Sequence, residues 1–332
     1  MEGHNIFFLT CLCLERSERN DKTMKRKVSI SIGMLQKKYG DKAALRIAKD
    51  IGADAVDFSL DMFDDTFDCS CPDSVYAKSD EEIVAYFSEL KKYADALGLE
   101  FAQTHGRAPG FKNVPEEDKL LIKNARIDCL ATATLGAPVC VIHAVTSIYM
   151  GPNPDPELMH DLNFRQFNEI LKYAKEYNIK IATETFGDAV EYDACDFFGN
   201  IDEFLKTYKR IASEGDNAKY FTVCADTGHS NKASRYNNNP TSANVIRMIG
   251  SEVTCLHLND NDTFTDQHKI PMTGTIDWDD VFAALDEIGY SGYYNMELHL
   301  PHFGDDFQIE TAEFAIKVMR HILKVRYGEE SL

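Results

Sequence analysis

The sequence lacks a CxxC pair, a hydrophobic run long enough to span a bilayer, and an excess of basic residues. Among its nine cysteines the closest pairs are Cys11/Cys13 and Cys69/Cys71, and an odd number without a framework spacing favours a reducing compartment. The 35 Lys and Arg residues are outnumbered by 54 Asp and Glu residues, which gives a formal net charge of −19. This charge argues against nucleic-acid binding, which needs a basic face, but it is compatible with a neutral substrate or a cation.

The N-terminal segment contains one short apolar run, IFFLTCLCL at 6–14. Nine residues are too few to cross a bilayer. A secretory signal would carry basic residues before such a run, whereas Glu2 precedes it and Arg16 follows it. We therefore predict that residues 1–24 form an extension outside the fold, that residues 25–332 form one domain, and that the protein is cytoplasmic.

Apolar runs of strand length, rich in β-branched residues, recur eight times along the chain. They are VSISIGM (28–34), AVDFSL (55–60), LEFAQTH (99–105), PVCVIHA (138–144), KIATETF (180–186), YFTVCAD (220–226), TCLHLND (254–260) and YYNMELH (293–299). Amphipathic segments of helix length separate several of them, as in KSDEEIVAYFSELKKYADALG, where apolar residues recur every three or four positions. This rhythm predicts an α/β fold, a single-domain (β/α)8 TIM barrel.

A doubly wound sheet is the alternative fold. The turn after the first strand-like run has no Gly-rich phosphate-binding sequence, which disfavours that fold and indicates no nucleotide cofactor.

Ionisable residues stand at the ends of six consecutive strand-like runs. These residues are His105, His143, Glu184, Asp226 with His229, His257 and Glu297. In a (β/α)8 barrel the carboxyl ends of the strands converge on one cavity, which carries the active site. One such residue is ordinarily bonded to a nearby loop. A whole series predicts a site, because ionisable groups packed together are costly unless a cation or a substrate compensates them.

Four of these residues, Glu184, Asp226, His257 and Glu297, supply three carboxylates and one imidazole. This oxygen-rich set predicts one divalent metal, Mn²⁺ or Mg²⁺ before Co²⁺ or Zn²⁺, with Mn²⁺ preferred. Three carboxylates against a dication leave a charge of about −1 and open positions for substrate oxygens. A polyol or a ketose, which chelates through adjacent oxygens, is the substrate type that suits such a site.

Several segments resemble a known superfamily. QTHGRAPG, ETFGD, CADTGHSN, CLHLNDND and DQHKIPMTGTIDWDDVFAALDEIGYSGYYNMEL are similar to the sugar phosphate isomerase/epimerase-like proteins of the xylose-isomerase-like (AP endonuclease family 2) TIM-barrel superfamily. The resemblance extends from residue 28 to about residue 325, and the DTGH, HLND and GTIDW elements are specific in combination. It implies the same four metal ligands, and it implies that Glu184 and Glu297 are catalytic and exchange protons on opposite faces of the substrate.

The resemblance also bears on the other site residues. It implies that His229 contacts a substrate oxygen, and we expect further substrate contacts from His105, Asp260 and His268. His143 is either an extra base, a contact to a bulky aglycone, or a histidine that only supports its neighbours. The apurinic-site endonucleases of the superfamily hold three zinc ions, and their additional ligands match His105, His143, His229, Asp266 and His268. A second metal therefore stays open.

The residue types imply proton abstraction next to a carbonyl, because a metal that polarises the carbonyl acidifies the adjacent C–H bond and a carboxylate can take the proton. Return of the proton to the other face gives an epimer, and return to the neighbouring carbon gives an isomer. We therefore predict a metal-dependent isomerase or epimerase acting on a sugar, a keto-sugar or an inosose.

A lyase is the alternative function, either an inosose dehydratase or the catalytic subunit of a C-glycoside deglycosidase acting on 3-keto glycosides. An apurinic-site endonuclease is disfavoured by the charge of −19. The segment NDNDTFTDQH lacks the Arg that ketose 3-epimerases of the family carry there, which disfavours a ketohexose epimerase. The expected partner is a small carbohydrate or glycoside, with no nucleic acid and no membrane. We expect a homo-oligomer, and a second type of subunit stays open.

Overall fold

The structure, a computed structural model, describes residues 25–61, 67–213, 215–236 and 238–331. The predicted extension at 1–24 lies outside these residues. Among the helices that the structure describes, none is both long enough and apolar enough to cross a membrane.

Eight parallel strands surround a central axis in chain order. They are β1 (Val28–Ser31), β2 (Ala55–Ser59), β3 (Glu100–His105), β4 (Val139–Ile142), β5 (Lys180–Glu184), β6 (Phe221–Asp226), β7 (Val253–His257) and β8 (Tyr294–Met296). Each strand pairs with the next as far as β7, and β8 pairs with β1. A parallel bridge between Leu258 and Met296 joins β7 to β8 and closes the ring. The predicted single-domain (β/α)8 barrel is confirmed.

The described residues also form ten α-helices, most of which follow a strand. They are α1 (Gly33–Tyr39), α2 (Asp41–Asp50), α3 (Asp80–Leu97), α4 (Pro115–Leu135), α5 (Pro156–Tyr177), α6 (Ile201–Ala212), α7 (Thr227–Ala233), α8 (Ser242–Ile249), α9 (Trp278–Glu287) and α10 (Gln308–Tyr327). Helix α3 shows how the sequence sets such bounds. Ser79 and Glu82 form a reciprocal capping box at its start, and Gly98, with φ of 63°, ends it in the left-handed region.

Small side chains on the central strands form a separate buried cluster from the main core between strands and helices. Its members are Val139, Val141, Ala182, Cys224 and Cys255. Because side chains of a strand alternate between its two faces, the residues two positions further along β5, β6 and β7 share the face of this cluster. Those residues are Glu184, Asp226 and His257. The strand period therefore directs the ionisable residues towards the carboxyl end of the barrel.

Candidate active site

The carboxyl ends of β5 to β8 bring four donor residues together. The ligand atoms of Glu184, Asp226, His257 and Glu297 all lie within 4.8 Å of one another. Nδ1 of His257 lies 2.9 Å from Oε1 of Glu184 and 3.4 Å from Oε2 of Glu297. The same nitrogen lies 4.0 Å from Oδ2 of Asp226. The structure thus places the four predicted metal ligands, named the donor cluster below, around one point.

Asp226 is held in the donor cluster by the turn that follows its strand. It is the N-cap of α7, where its Oδ1 accepts a hydrogen bond of 2.6 Å from the backbone N–H of His229. Its Oδ2 accepts a bond of 2.9 Å from Nδ2 of Asn259. No residue with a Cβ fits at Gly228 in this turn, because that atom would lie 1.8 Å from Oδ1 of Asn259. The DTGH sequence therefore fixes both the carboxylate and the following imidazole.

His257 is oriented by a carboxylate that the sequence analysis missed. Its Nε2 lies 3.1 Å from Oδ2 of Asp57, which is fully buried on β2. The same Oδ2 accepts bonds of 3.2 and 3.3 Å from the side-chain amides of Gln103 and Asn295. A carboxylate that accepts Nε2–H leaves Nδ1 free to face the donor cluster. Asp57 could have been noticed in the sequence, because it stands inside the apolar run AVDFSL and a buried carboxylate needs a hydrogen-bonding or charged partner.

The donor cluster fits one divalent metal. Oε2 of Glu184 is buried and makes no hydrogen bond to the described residues, although Nε2 of His143 lies 3.1 Å away. Burial raises the pKa of Asp226 to about 6, where His229 opposes the rise and Glu184 adds to it. A dication would compensate the converging carboxylates, and three carboxylates with one imidazole are donors that Mn²⁺, Mg²⁺ or Zn²⁺ accept.

Imidazoles surround the carboxylates of the cluster and offset part of their charge. Burial alone would lower the pKa of His257, but the charges of Glu297 and Glu184 outweigh it and raise that pKa well above its ordinary value. Burial would raise the pKa of Glu184, yet His257, His105 and His143 hold it well below its ordinary value. The protein therefore keeps Glu184 ionised in a buried position.

The remaining predicted histidines border the donor cluster on two sides. His105 and His143 have their Nε2 atoms 3.2 Å apart, and both approach Oε2 of Glu184. On the other side, Oδ2 of Asp266 lies 3.6 Å from Nε2 of His229 and 3.4 Å from Nε2 of His268. Each side offers three donors within 4.8 Å of one another. The arrangement keeps open the second metal that the resemblance raised.

Asp260, a predicted substrate contact, has a structural role. It is fully buried, and its carboxylate accepts hydrogen bonds from the backbone N–H groups of Gly274 and Ile276. Nε1 of Trp278 donates a further bond of 2.8 Å to its Oδ2. The carboxylate therefore holds the GTIDW segment, a structural role that the sequence did not indicate, and the substrate contact stays a prediction.

The donor cluster opens into a cavity of about 220 Å³. Glu297, His105 and His268 line this cavity, which we name the mouth cavity, as does Asp266. Its wall also includes hydroxyl and carboxylate groups that the sequence did not indicate, at Ser31, Ser59 and Asp61, together with the apolar side chains of Met34 and Leu298. Polar groups of this kind suit a ligand that carries several hydroxyl groups.

The profile of the xylose isomerase-like TIM barrel family matches residues 45–322. The chain belongs to this family. The resemblance noted in the sequence is therefore confirmed. A curated relative, the uncharacterized protein y4fM of Sinorhizobium fredii, is 29% identical over 184 residues, which are 55% of this chain and 53% of the relative. The chain thus matches about half the length of that relative.

Solved structures share the fold over nearly their whole length. D-psicose 3-epimerase from Clostridium cellulolyticum H10 superposes with a TM-score of 0.67 at 16% identity, covering 90% of this chain and 99% of that one. The 3-keto-D-glucoside 4-epimerase YcjR of E. coli superposes with a TM-score of 0.64 at 12% identity, covering 90% of this chain and 100% of that one. The IOLI protein, solved with a bound zinc atom, superposes with a TM-score of 0.62 at 16% identity, covering 90% of this chain and 97% of that one. At these identities the likeness shows the fold.

Proposed function

We propose that this chain is a metal-dependent carbohydrate isomerase or epimerase that removes a proton next to a carbonyl group. The observation that carries the proposal is the placement of two carboxylates about one imidazole. Glu184, at the end of β5, and Glu297, just beyond β8, lie 2.9 and 3.4 Å from the same atom, Nδ1 of His257. The two carboxylates approach from strands that are not neighbours in the barrel. A substrate bound between them would meet a base on each side.

The fold relatives support a carbohydrate as the substrate and a metal as the cofactor. Two of them are named as epimerases of a ketose and of a 3-keto-glucoside, and a third contains zinc. For this chain we propose one divalent metal held by Glu184, Asp226, His257 and Glu297, with Mn²⁺ preferred because oxygen donors predominate.

The residues divide the reaction between them. A bound divalent metal would polarise the substrate carbonyl and so lower the pKa of the adjacent C–H bond. One carboxylate, Glu184 or Glu297, takes the proton as the C–H bond breaks, and the electron pair moves onto the carbonyl oxygen. Imidazole N–H groups of His229 and His105 would donate to substrate oxygens as negative charge develops there. Delivery of a proton by the opposite carboxylate completes an epimerisation, and delivery to the neighbouring carbon completes an isomerisation.

A lyase is the second candidate, and the imidazole pair beside Glu184 favours it. Burial opposes protonation of His105, but its contact with Glu184 and the charge of Glu297 outweigh burial and raise its pKa to about 9. A protonated imidazole can donate to an oxygen that leaves from the carbon next to the enolate. The Nε2 of His143 lies 3.2 Å from that of His105, and His143 would relay this proton.

Hydrogen exchange with solvent tests the proposal. Protein loaded with Mn²⁺ is incubated in D₂O with ketoses, inososes and 3-keto glycosides, and the products are identified by NMR. We expect deuterium at a single carbon, together with an epimer, an isomer or a released leaving group that identifies the reaction. Glu184→Gln and Glu297→Gln should abolish exchange. Glu203→Gln, a glutamate that contacts His160 outside the site, serves as the matched control and should retain it. Absence of exchange with every class in the metal-loaded protein would contradict the proposal.

A further inference from the structure

A second cavity adjoins the mouth cavity. It has a volume of about 280 Å³ and shares the side chains of His268, Leu298 and His299 with the mouth cavity as a common wall. His268 ties this wall to the donor cluster, since its Nδ1 lies 3.6 Å from Oε2 of Glu297. The two spaces therefore adjoin each other at the carboxyl end of the barrel.

The two cavities differ in chemistry. The mouth cavity is lined mainly by carboxylates, imidazoles and serine hydroxyl groups, with Met34 and Leu298 as apolar members of its wall. The second cavity has more apolar side chains, namely Ile270, Leu298, Phe303 and Phe314, and its wall also includes Lys269 and the imidazoles of His268, His299 and His302. The two phenylalanines are 66% and 56% exposed, although large apolar side chains at a surface recess gain from being covered. Thr273 and Thr311 add hydroxyl groups to this wall. An apolar ring would cover the two phenylalanines, and its polar substituents would meet the imidazole, ammonium and hydroxyl groups of this wall.

Size supports a ligand with two parts. Sites for small molecules typically have volumes of about 300–1,000 Å³. The mouth cavity, at about 220 Å³, and the second cavity, at about 280 Å³, reach that range only together.

We propose that the second cavity, which we name the aryl subsite, binds the apolar ring of a glycoside whose sugar occupies the mouth cavity. The placement of the sugar rests on the proposed function, and the aryl subsite narrows the substrate class to sugars that carry an aromatic aglycone. A free monosaccharide that occupies the mouth cavity would leave Phe303 and Phe314 uncovered. The recess adjoins the catalytic groups and carries hydroxyl groups, which favours a small ligand over a second copy of the chain.

Binding of two model glycosides tests the aryl subsite. Isothermal titration calorimetry on protein loaded with Mn²⁺ compares 4-nitrophenyl β-D-glucopyranoside with methyl β-D-glucopyranoside, which lacks the ring. We expect the nitrophenyl glycoside to bind at least about tenfold more tightly, the effect of burying one aromatic ring. The double variant Phe303→Ala/Phe314→Ala should bring this ratio close to one and leave the affinity for the methyl glycoside unchanged.

A matched control separates the subsite from general surface effects. Phe264 is 65% exposed and, among the described residues, is outside the lining of both cavities, so Phe264→Ala should preserve the preference. Equal binding of the two glycosides, binding of neither, or a preference that survives the double variant would overturn the subsite. A lower oligomer mass of the double variant by light scattering would assign the rings to an interface between copies and would also overturn it. A retained preference without solvent exchange would refute the proposed reaction and leave the subsite standing.

Discussion

Oε1 of Glu184 lies 2.9 Å from Nδ1 of His257, although 73 residues separate them along the chain. The other ring nitrogen of His257 lies 3.1 Å from Asp57, so one imidazole is held between two buried carboxylates. Such a carboxylate behind a ligating histidine fixes the ring and increases its basicity. The donor cluster therefore depends on a residue that is not itself a member of the cluster.

Asp57→Asn is expected to weaken metal binding without unfolding the protein. The amide oxygen can still accept from Nε2 of His257, so the ring stays in place, but the negative charge that increases its basicity is lost. Substitutions of this kind typically lower metal affinity about 10–100-fold. The dissociation constant for Mn²⁺, measured by competition with a chelating dye, checks this expectation.

Asp54→Asn is the control for that measurement. Asp54 precedes the same strand and accepts a bond of 2.8 Å from the backbone N–H of Val28, at the opposite end of the barrel. Its replacement should leave the metal affinity unchanged. Equal affinities of the Asp57→Asn variant and the wild type would refute the supporting role of Asp57.

Removal of two donors should remove the metal. In the double variant Asp226→Ala/His257→Ala, only Glu184 and Glu297 of the cluster remain, and two carboxylates hold a dication far less tightly than four donors. We expect most of the metal to be absent after dialysis, as measured by mass spectrometry of the metal content. Asp226→Asn keeps an oxygen for the N-cap of α7, so it should stay folded. Metal loss in this variant would therefore result from the lost donor and not from unfolding. Full retention of metal in the double variant would contradict the site.

Asp260→Ala should destabilise the fold. Its carboxylate accepts hydrogen bonds from Gly274, Ile276 and Trp278 in a fully buried position, and the substitution leaves these donors without an acceptor. We expect a loss of about 3–5 kcal/mol in the free energy of unfolding, measured by urea denaturation.

Substrate affinity distinguishes this structural role of Asp260 from the predicted substrate contact. At a temperature where Asp260→Ala is folded, its KM should equal that of the wild type. Asp262→Ala is the control, because Asp262 accepts its bonds from Phe264 and Thr265 in a more exposed turn. A raised KM in Asp260→Ala with unchanged stability would support the predicted substrate contact and contradict the structural role.

Asp128 should make the stability depend on pH. Burial raises its pKa from 3.8 to about 7, although Tyr76 donates a hydrogen bond to it. The folded state therefore holds the proton more tightly than the unfolded state. Its stabilising contribution is complete below pH 3.8 and is lost as the pH rises to about 7. Asp128→Asn cannot ionise at this position. Between pH 5 and pH 8 the free energy of unfolding of the wild type should therefore fall by about 3 kcal/mol more than that of Asp128→Asn.

Urea denaturation of both proteins at the two pH values measures this difference. The comparison cancels the other titrating groups, because they are common to the two proteins. An identical dependence on pH in the wild type and Asp128→Asn would show that Asp128 stays ionised in the fold.

The sequence predicted the strands well, because each is a short β-branched run and eight such runs in alternation with helices suit few folds. It also indicated which strand ends carry the ionisable residues, since the carboxyl ends of parallel strands converge. The contacts that orient those residues were not predictable in the same way. Asp57 lies 200 residues from His257, and only the closed ring of strands brings them together.

Asp260 shows the opposite limit. It follows His257 by three positions, so the sequence places it at the site, but its direction depends on the later GTIDW segment folding back towards it. The aryl subsite was also beyond the sequence. Its phenylalanines come from the 3₁₀ segment Leu300–Phe303 and from α10. In a sequence, an aromatic residue on the surface cannot be distinguished from one in the core before the fold is known.

Anomalous diffraction from crystals grown with Mn²⁺ tests the central claim most directly, because it locates the metal. We predict one strong peak in contact with Nδ1 of His257 and with carboxylate oxygens of Glu184, Asp226 and Glu297. No peak at this position, or a peak confined to the group of His229, Asp266 and His268, would contradict the account.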